Sequence, residues 1–128
     1  RQILPENVSL SDFVVNMANT ASITAAFCKN DYNLLKDNLF DYIIEPTRST
    51  LIPGFPEAKE AALESGAHGM TISGSGPTVF AISNLQKTAK KIESAMVAAF
   101  NNKGIECNSL ITTSFVEGSG IITSGLIT

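Results

Sequence analysis

The stretch Ser73-Gly74-Ser75-Gly76-Pro77 constrains this chain more than any other, because two β-like runs, Met70 to Ser73 and Thr78 to Ser83, meet across it. Glycines at 74 and 76 admit positive φ without steric cost, so successive backbone N–H groups can turn to one side. Such a nest of N–H groups suits an anion, either a phosphate or a carboxylate. The competing reading is a plain glycine-rich hairpin turn. The loop is longer than a hairpin needs and carries no bulky residue, which favours a ligand loop. It is neither of the common phosphate loops: no Gly-Lys-Ser/Thr follows, and the third glycine of a dinucleotide fingerprint is missing. A strand rather than a helix comes next, so no helix N-terminus is aimed at the ligand. These features argue against a Rossmann unit.

At 128 residues, 44% apolar and 16% charged, the chain is long enough and apolar enough to bury one core. A net charge of −3 leaves no electrostatic footprint for nucleic acid. No apolar run approaches the ~20 residues of a membrane span. Cys28 and Cys107 lie far apart without paired spacing and read as buried, reduced thiols, which points to the cytoplasm. The chain opens on Arg1 without a start methionine or signal-like segment, which predicts a piece of a longer protein.

Taken in order, Arg1 to Val8 is an extended lead-in, and Ser9-Leu10-Ser11-Asp12 reads as a capping box. The spacing predicts a helix from there to about Cys28, burying Val14, Met17, Ala18, Ala21, Ala25 and Cys28 on one face. A second helix restarts at Asn30-Asp31, buries Tyr32, Leu35, Leu39, Tyr42 and Ile43, and ends near Ile44 because Pro46 follows. Leu51 to Gly54 is a turn. Pro56 then opens a short helix that Gly66 stops. After the hairpin, Gln86 to Asn102 forms a helix with Ala89, Ile92, Met96, Ala99 and Phe100 inward, ended by Lys103-Gly104. Strands are expected over Ile105 to Val116 and Ile121 to Ser124, with a turn at Gly118-Ser119-Gly120. Hairpin, helix and further strands point to an α+β fold, an antiparallel sheet with helices packed on one face.

Read with its surroundings, Gly66-Ala67-His68-Gly69-Met70-Thr71-Ile72-Ser73-Gly74-Ser75-Gly76-Pro77-Thr78-Val79-Phe80-Ala81 resembles the third motif of the galactose, homoserine, mevalonate and phosphomevalonate kinase superfamily. Arg1-Gln2-Ile3-Leu4-Pro5, Glu45-Pro46-Thr47-Arg48 and Leu51-Ile52-Pro53-Gly54-Phe55 resemble the homoserine kinase branch, in order and at similar spacing. The glycine loop alone identifies only the superfamily; the four stretches together are specific. The resemblance implies a ferredoxin-like fold over residues 1–128, forming the C-terminal, substrate-side domain of a two-domain kinase whose N-terminal nucleotide-binding domain is not in this sequence.

The resemblance also implies roles. Arg1 and Arg48 are the chain's two arginines, and their counterparts hold the substrate's α-carboxylate, for which a guanidinium is suited by its bidentate geometry. Ser73, Gly74, Ser75, Gly76 and Pro77 would lie near substrate and phosphates. The implied reaction transfers the γ-phosphoryl group of ATP, with magnesium, to the hydroxyl of L-homoserine in threonine biosynthesis. The Pro-x-x-x-Gly-Leu-Gly-Ser-Ser type loop that holds nucleotide in this superfamily is missing, as is an acidic residue for magnesium. The piece alone is therefore expected to be inactive and to bind no cofactor, and no catalytic residue or metal ligand is identifiable in it. Asp41 and Glu45 read as solvated carboxylates near Arg48, and His68 lacks any accompanying nucleophile motif. Expected partners are the small-molecule substrate, the parent's own N-terminal domain and a homodimer mate, with neither nucleic acid nor membrane. The alternatives are a stand-alone ferredoxin-like module that binds an amino acid for regulation, and a superfamily kinase with another small alcohol acceptor.

Overall fold

A computed structural model describes residues 3–113. Helix α1 spans Leu10–Lys29, α2 Tyr32–Asn38 and α3 Glu45–Arg48, followed by a 3₁₀ turn over Ser49–Leu51. Helix α4 spans Phe55–Glu64, strands β1 and β2 span Gly69–Ile72 and Val79–Ile82, and α5 spans Gln86–Asn102. The strands pair antiparallel, with Met70 opposite Ala81 and Ile72 opposite Val79. Those four side chains share one face of the pleat, and that face meets α4 and α5. The fold is α+β with helices on the core face of the hairpin, as expected.

The core forms where small residues let helix and sheet approach. Ala58 and Ala62, one turn apart on α4, are fully buried, and Met70 fills the space they leave. Ile52, Phe55, Ala67, Ile92 and Phe100 complete the cluster. Gly54 starts α4 with φ 83°, a conformation that favours glycine. Gly69 is needed for a different reason: a Cβ there would come within 3.0 Å of Leu39. Helix α5 matches the expected bounds, with Ile92 and Phe100 buried and Met96 and Ala99 packed against the same cluster.

Three expectations are corrected. The Ser9 cap on α1 is present, its Oγ accepting from the Asp12 N–H at 3.0 Å, but the helix turns the other way. Val14, Met17, Ala18, Ala21 and Cys28 face outward, with Met17 57% exposed, while Asn16, Asn19, Ile23 and Ala26 face inward. Polar staples set this rotation. Asn16 Nδ2 donates to Asp41 at 2.9 Å, its Oδ1 accepts the Tyr42 N–H at 3.0 Å, and Asn19 Nδ2 donates to the Phe40 carbonyl at 3.0 Å. Cys28 is consequently exposed rather than buried.

Second, α2 stops at Asn38, short of Ile44, and Tyr42 is exposed. Asn38 Nδ2 bonds back to the Leu34 carbonyl at 2.8 Å, and Leu39 leaves the helical region with ψ 61°. Asp41 then gathers the following N–H groups, which holds residues 41–45 in a bend. Third, residues 105–113 form no strand. Ile105 and Cys107 pack on the core with Glu106 exposed, as alternation predicts, but among the described residues β1 and β2 pair only with each other. The remainder of the strand expected to reach Val116, and the one at Ile121 to Ser124, lie outside the described residues.

Candidate functional site

Three of the four stretches singled out in the sequence converge. Between β1 and β2, Ser73 donates its N–H to the Thr78 carbonyl at 2.8 Å, and Gly76 donates to the Ser73 carbonyl at 3.1 Å. Gly74 and Gly76 take φ 59° and 76°, the positive values that glycine admits. Two of the loop N–H groups are thus spent in closing it. Those of Gly74 and Ser75 have no hydrogen-bond partner among the described residues, and both residues are exposed. Beneath the loop sits Ile52: a Cβ on Gly76 would lie 3.2 Å from its Cδ1. The Leu51–Phe55 stretch therefore supplies, through Ile52, a floor for the glycine loop.

Arg48 joins this floor to the loop rim. It ends α3, and its Nη1 donates to the Gly74 carbonyl at 2.6 Å across 26 residues of sequence. A guanidinium carries five N–H donors, so one such bond leaves most of its donors available. Arg1, the other expected carboxylate ligand, lies outside the described residues.

Neither neighbouring carboxylate touches Arg48. Asp41 Oδ1 accepts from the N–H groups of Ile43 and Ile44, both at 2.9 Å, and Oδ2 accepts from that of Glu45 at 3.2 Å. Burial pushes the Asp41 carboxyl up, but the bonds from Ile44, Asn16, Ile43 and Glu45 outweigh it and hold the group below its ordinary 3.8. A depressed native value means that the stabilisation is present above the unfolded-state value and is lost as pH falls through the native one. Asp41→Ala is therefore expected to cost about 0.5–2 kcal/mol near neutral pH, as for a lost helix cap. The gap from wild type should narrow progressively below pH 3.8. Urea titrations between pH 7 and pH 2.5 check this; a pH-independent gap would contradict it.

Glu45, rather than lying solvated, is clamped. One carboxylate oxygen pairs with Lys59 Nζ of α4, and the other accepts from Thr71 Oγ1 of β1 at 2.5 Å. The Lys59 ammonium also lies over the rings of Phe40 and Phe55, 5.5 and 5.7 Å from their centroids. Lys59 and Thr71 were not legible as site residues, since nothing local marks a lysine on α4 as half-buried. The asparagines were a usable signal: Asn16 interrupts the apolar stretch that runs from Phe13 to Ala18, and Asn19 ends it. They border a cleft of about 230 Å³ between α1, Phe40, Asp41 and Thr71. His68 stands apart, stacked on Tyr32 at 4.9 Å with Nε2 3.1 Å from Asn84 Oδ1.

Residues 23–102, well over half of the chain, match the family described as GHMP kinases C terminal. The chain belongs to this family. The GHMP kinase C-terminal domain resembles a homoserine kinase of Chlorobaculum tepidum, 37% identical over 97% of this chain and 39% of the relative. A homoserine kinase of Pyrococcus furiosus is 42% identical over 88% of the chain and 37% of its own length. The crystal structure of homoserine kinase from Cytophaga hutchinsonii superimposes with a TM-score of 0.78 at 45% identity, over 80% of this chain and 32% of that one. This GHMP kinase domain thus spans well under half the length of the relatives it matches.

Proposed function

We propose that this domain is the substrate-side part of an ATP-dependent homoserine kinase. The parent would transfer the γ-phosphoryl group of ATP to the hydroxyl oxygen of L-homoserine, releasing ADP and O-phospho-L-homoserine. The observation that carries the reading is the bond from Arg48 to Gly74, since a guanidinium at the rim of the glycine loop is a group suited to a carboxylate. The named relatives support the choice of amino acid. Arg48 and Arg1 would grip the α-carboxylate, and Ser73 to Pro77 would close over the region where hydroxyl and phosphate meet. Selecting a carboxylated alcohol over a plain one is chemistry suited to guanidinium groups.

ATP and magnesium would be held by the rest of the parent, in the cytoplasm. The residues in this domain fit only the margin of such a site. Gly74 and Ser75 have N–H groups without a partner among the described residues, while Asp41 and Glu45, the carboxylates nearest Arg48 in sequence, are already engaged by N–H groups, Lys59 and Thr71. The decisive experiment is ADP release by the full-length parent on adding L-homoserine, with serine, mevalonate and galactose as comparison acceptors. Turnover selective for homoserine is expected. Turnover with another acceptor would discard the substrate, and none with any acceptor would favour an amino-acid-binding module.

The outward face of α1 bears on the parent too. Residues 13–28 carry no charge, yet Phe13, Val14, Met17 and Phe27 are about half exposed. A helix apolar on its outer face belongs against another surface. The family match begins at residue 23, inside α1, so Phe13, Val14 and Met17 precede it. We assign that face to the parent's preceding domain. Chain 1–128 made alone is then expected to self-associate, giving a light-scattering mass that rises with concentration above 13.6 kDa. Phe13→Asp with Met17→Lys should return it to monomer; a monodisperse wild-type monomer would contradict the assignment.

A further inference from the structure

We propose that Lys59 is a positioning residue that withholds Glu45 from Arg48, leaving the Arg48 charge available for an anionic substrate. The inference rests on the substrate role of Arg48 given above.

Glu45 and Arg48 are three positions apart on α3, a spacing at which side chains of opposite charge pair readily on a helix surface. They do not pair here. The Glu45 carboxylate is drawn to the other side, where Lys59 and Thr71 take one oxygen each. Both ends of the ion pair are largely shielded, with side-chain exposures of 17% for Lys59 and 13% for Glu45. The Phe40 and Phe55 rings flank the ammonium, which fixes it in place. Arg48, held at the Gly74 carbonyl, makes no ion pair among the described residues.

The arrangement settles a competition. A half-buried carboxylate that loses its cation is costly to leave unpaired. Without Lys59, the cation next in reach of Glu45 along α3 is Arg48. That pairing would pull the guanidinium from Gly74 and neutralise it before any substrate carboxylate arrived. Lys59 thus matters less for joining α4 to α3 than for deciding which partner Glu45 takes.

This makes a prediction that a merely structural role does not. In the full-length parent, Lys59→Met should raise the KM for L-homoserine about ten-fold or more, with the KM for ATP unchanged within about two-fold, the pattern of a lost binding interaction confined to one substrate. Lys59→Arg should restore most of the affinity. The telling variant is the double substitution Glu45→Gln with Lys59→Met. Removing the competing charge should recover homoserine KM even though the ion pair is gone. A KM unmoved by Lys59→Met, or a double variant no better than the single, would overturn the proposal. A second readout is independent of turnover. The Arg48 Nε–H resonance of the ¹⁵N-arginine-labelled parent, assigned by its loss in Arg48→Lys, should shift in Lys59→Met and return in the double variant. Absence of that shift would also overturn the proposal. Its presence in a parent that does not use homoserine would uphold the Lys59 role and discard only the substrate.

Discussion

Replacing Arg48 with alanine in the full-length parent is expected to raise the KM for L-homoserine by about a hundred-fold, which corresponds to the ~3 kcal/mol of a strong charge-assisted hydrogen bond. The KM for ATP should stay within about two-fold of wild type, because the contact proposed for the guanidinium is to the amino-acid carboxylate and not to the nucleotide. If the carboxylate is gripped equally in ground and transition states, kcat is nearly unchanged, since uniform binding lowers KM without accelerating the chemical step. Arg48→Lys separates charge from geometry. Lysine keeps the charge but not the planar fork that meets a carboxylate with two parallel bonds, so it should recover only part of the loss. The structural cost of either change is small: the Gly74 carbonyl belongs to an exposed loop where water can replace the lost donor. Steady-state kinetics with homoserine and ATP varied in turn checks all three statements. A homoserine KM unmoved by Arg48→Ala would remove the arginine from the site.

What the sequence made legible follows from whether a segment's partner lies nearby. Helix α5 was readable from end to end because its apolar stripe finds its partners, α4 and the hairpin, within this chain. The loop and its glycines were readable because positive φ is a local demand, met at Gly74 and Gly76. Helix α1 was readable in extent and cap but not in rotation. Periodicity identifies the most apolar face, and that face here turns outward while two asparagines tie the other to residues 40–42. The early end of α2 was hidden for a related reason: Pro46 sets an outer limit to a helix, whereas Asn38 and Asp41 redirect the chain sooner through side-chain bonds to the backbone.

The site divides the same way. Arg48 stood out as one of two arginines. Its reach to Gly74 spans 26 residues, and no local rule predicts it. Glu45 was visible as a carboxylate near Arg48 and read as solvated, whereas the fold engages both of its oxygens. Its true partners come from α4 and β1, which approach only after the core has formed. Charged side chains without a repeating pattern are therefore the least legible part of this chain, and the Glu45–Lys59 pair belongs to that class.

Core and site are coupled through β1, and Met70→Ala tests the coupling. Met70 is fully buried against Ala58 and Ala62, so truncation leaves a cavity that the alanines cannot fill. A loss of about 2–5 kcal/mol is expected, as for other large-to-alanine changes in packed cores. That is a large fraction of the ~5–15 kcal/mol of a typical domain. Met70→Leu, close in volume and equally apolar, should cost less than about 1.5 kcal/mol. Urea unfolding of the full-length parent, followed by a probe in this domain, gives both values. The next residue is Thr71, which holds Glu45, and two further on the loop begins at Ser73. Loosening the strand should therefore raise homoserine KM in Met70→Ala even under conditions where the protein stays folded, while Met70→Leu leaves it unchanged. A large stability loss with wild-type KM would show that the core holds the fold together without setting the position of Arg48. Alignment of the guanidinium would then depend on α3 and its clamps alone.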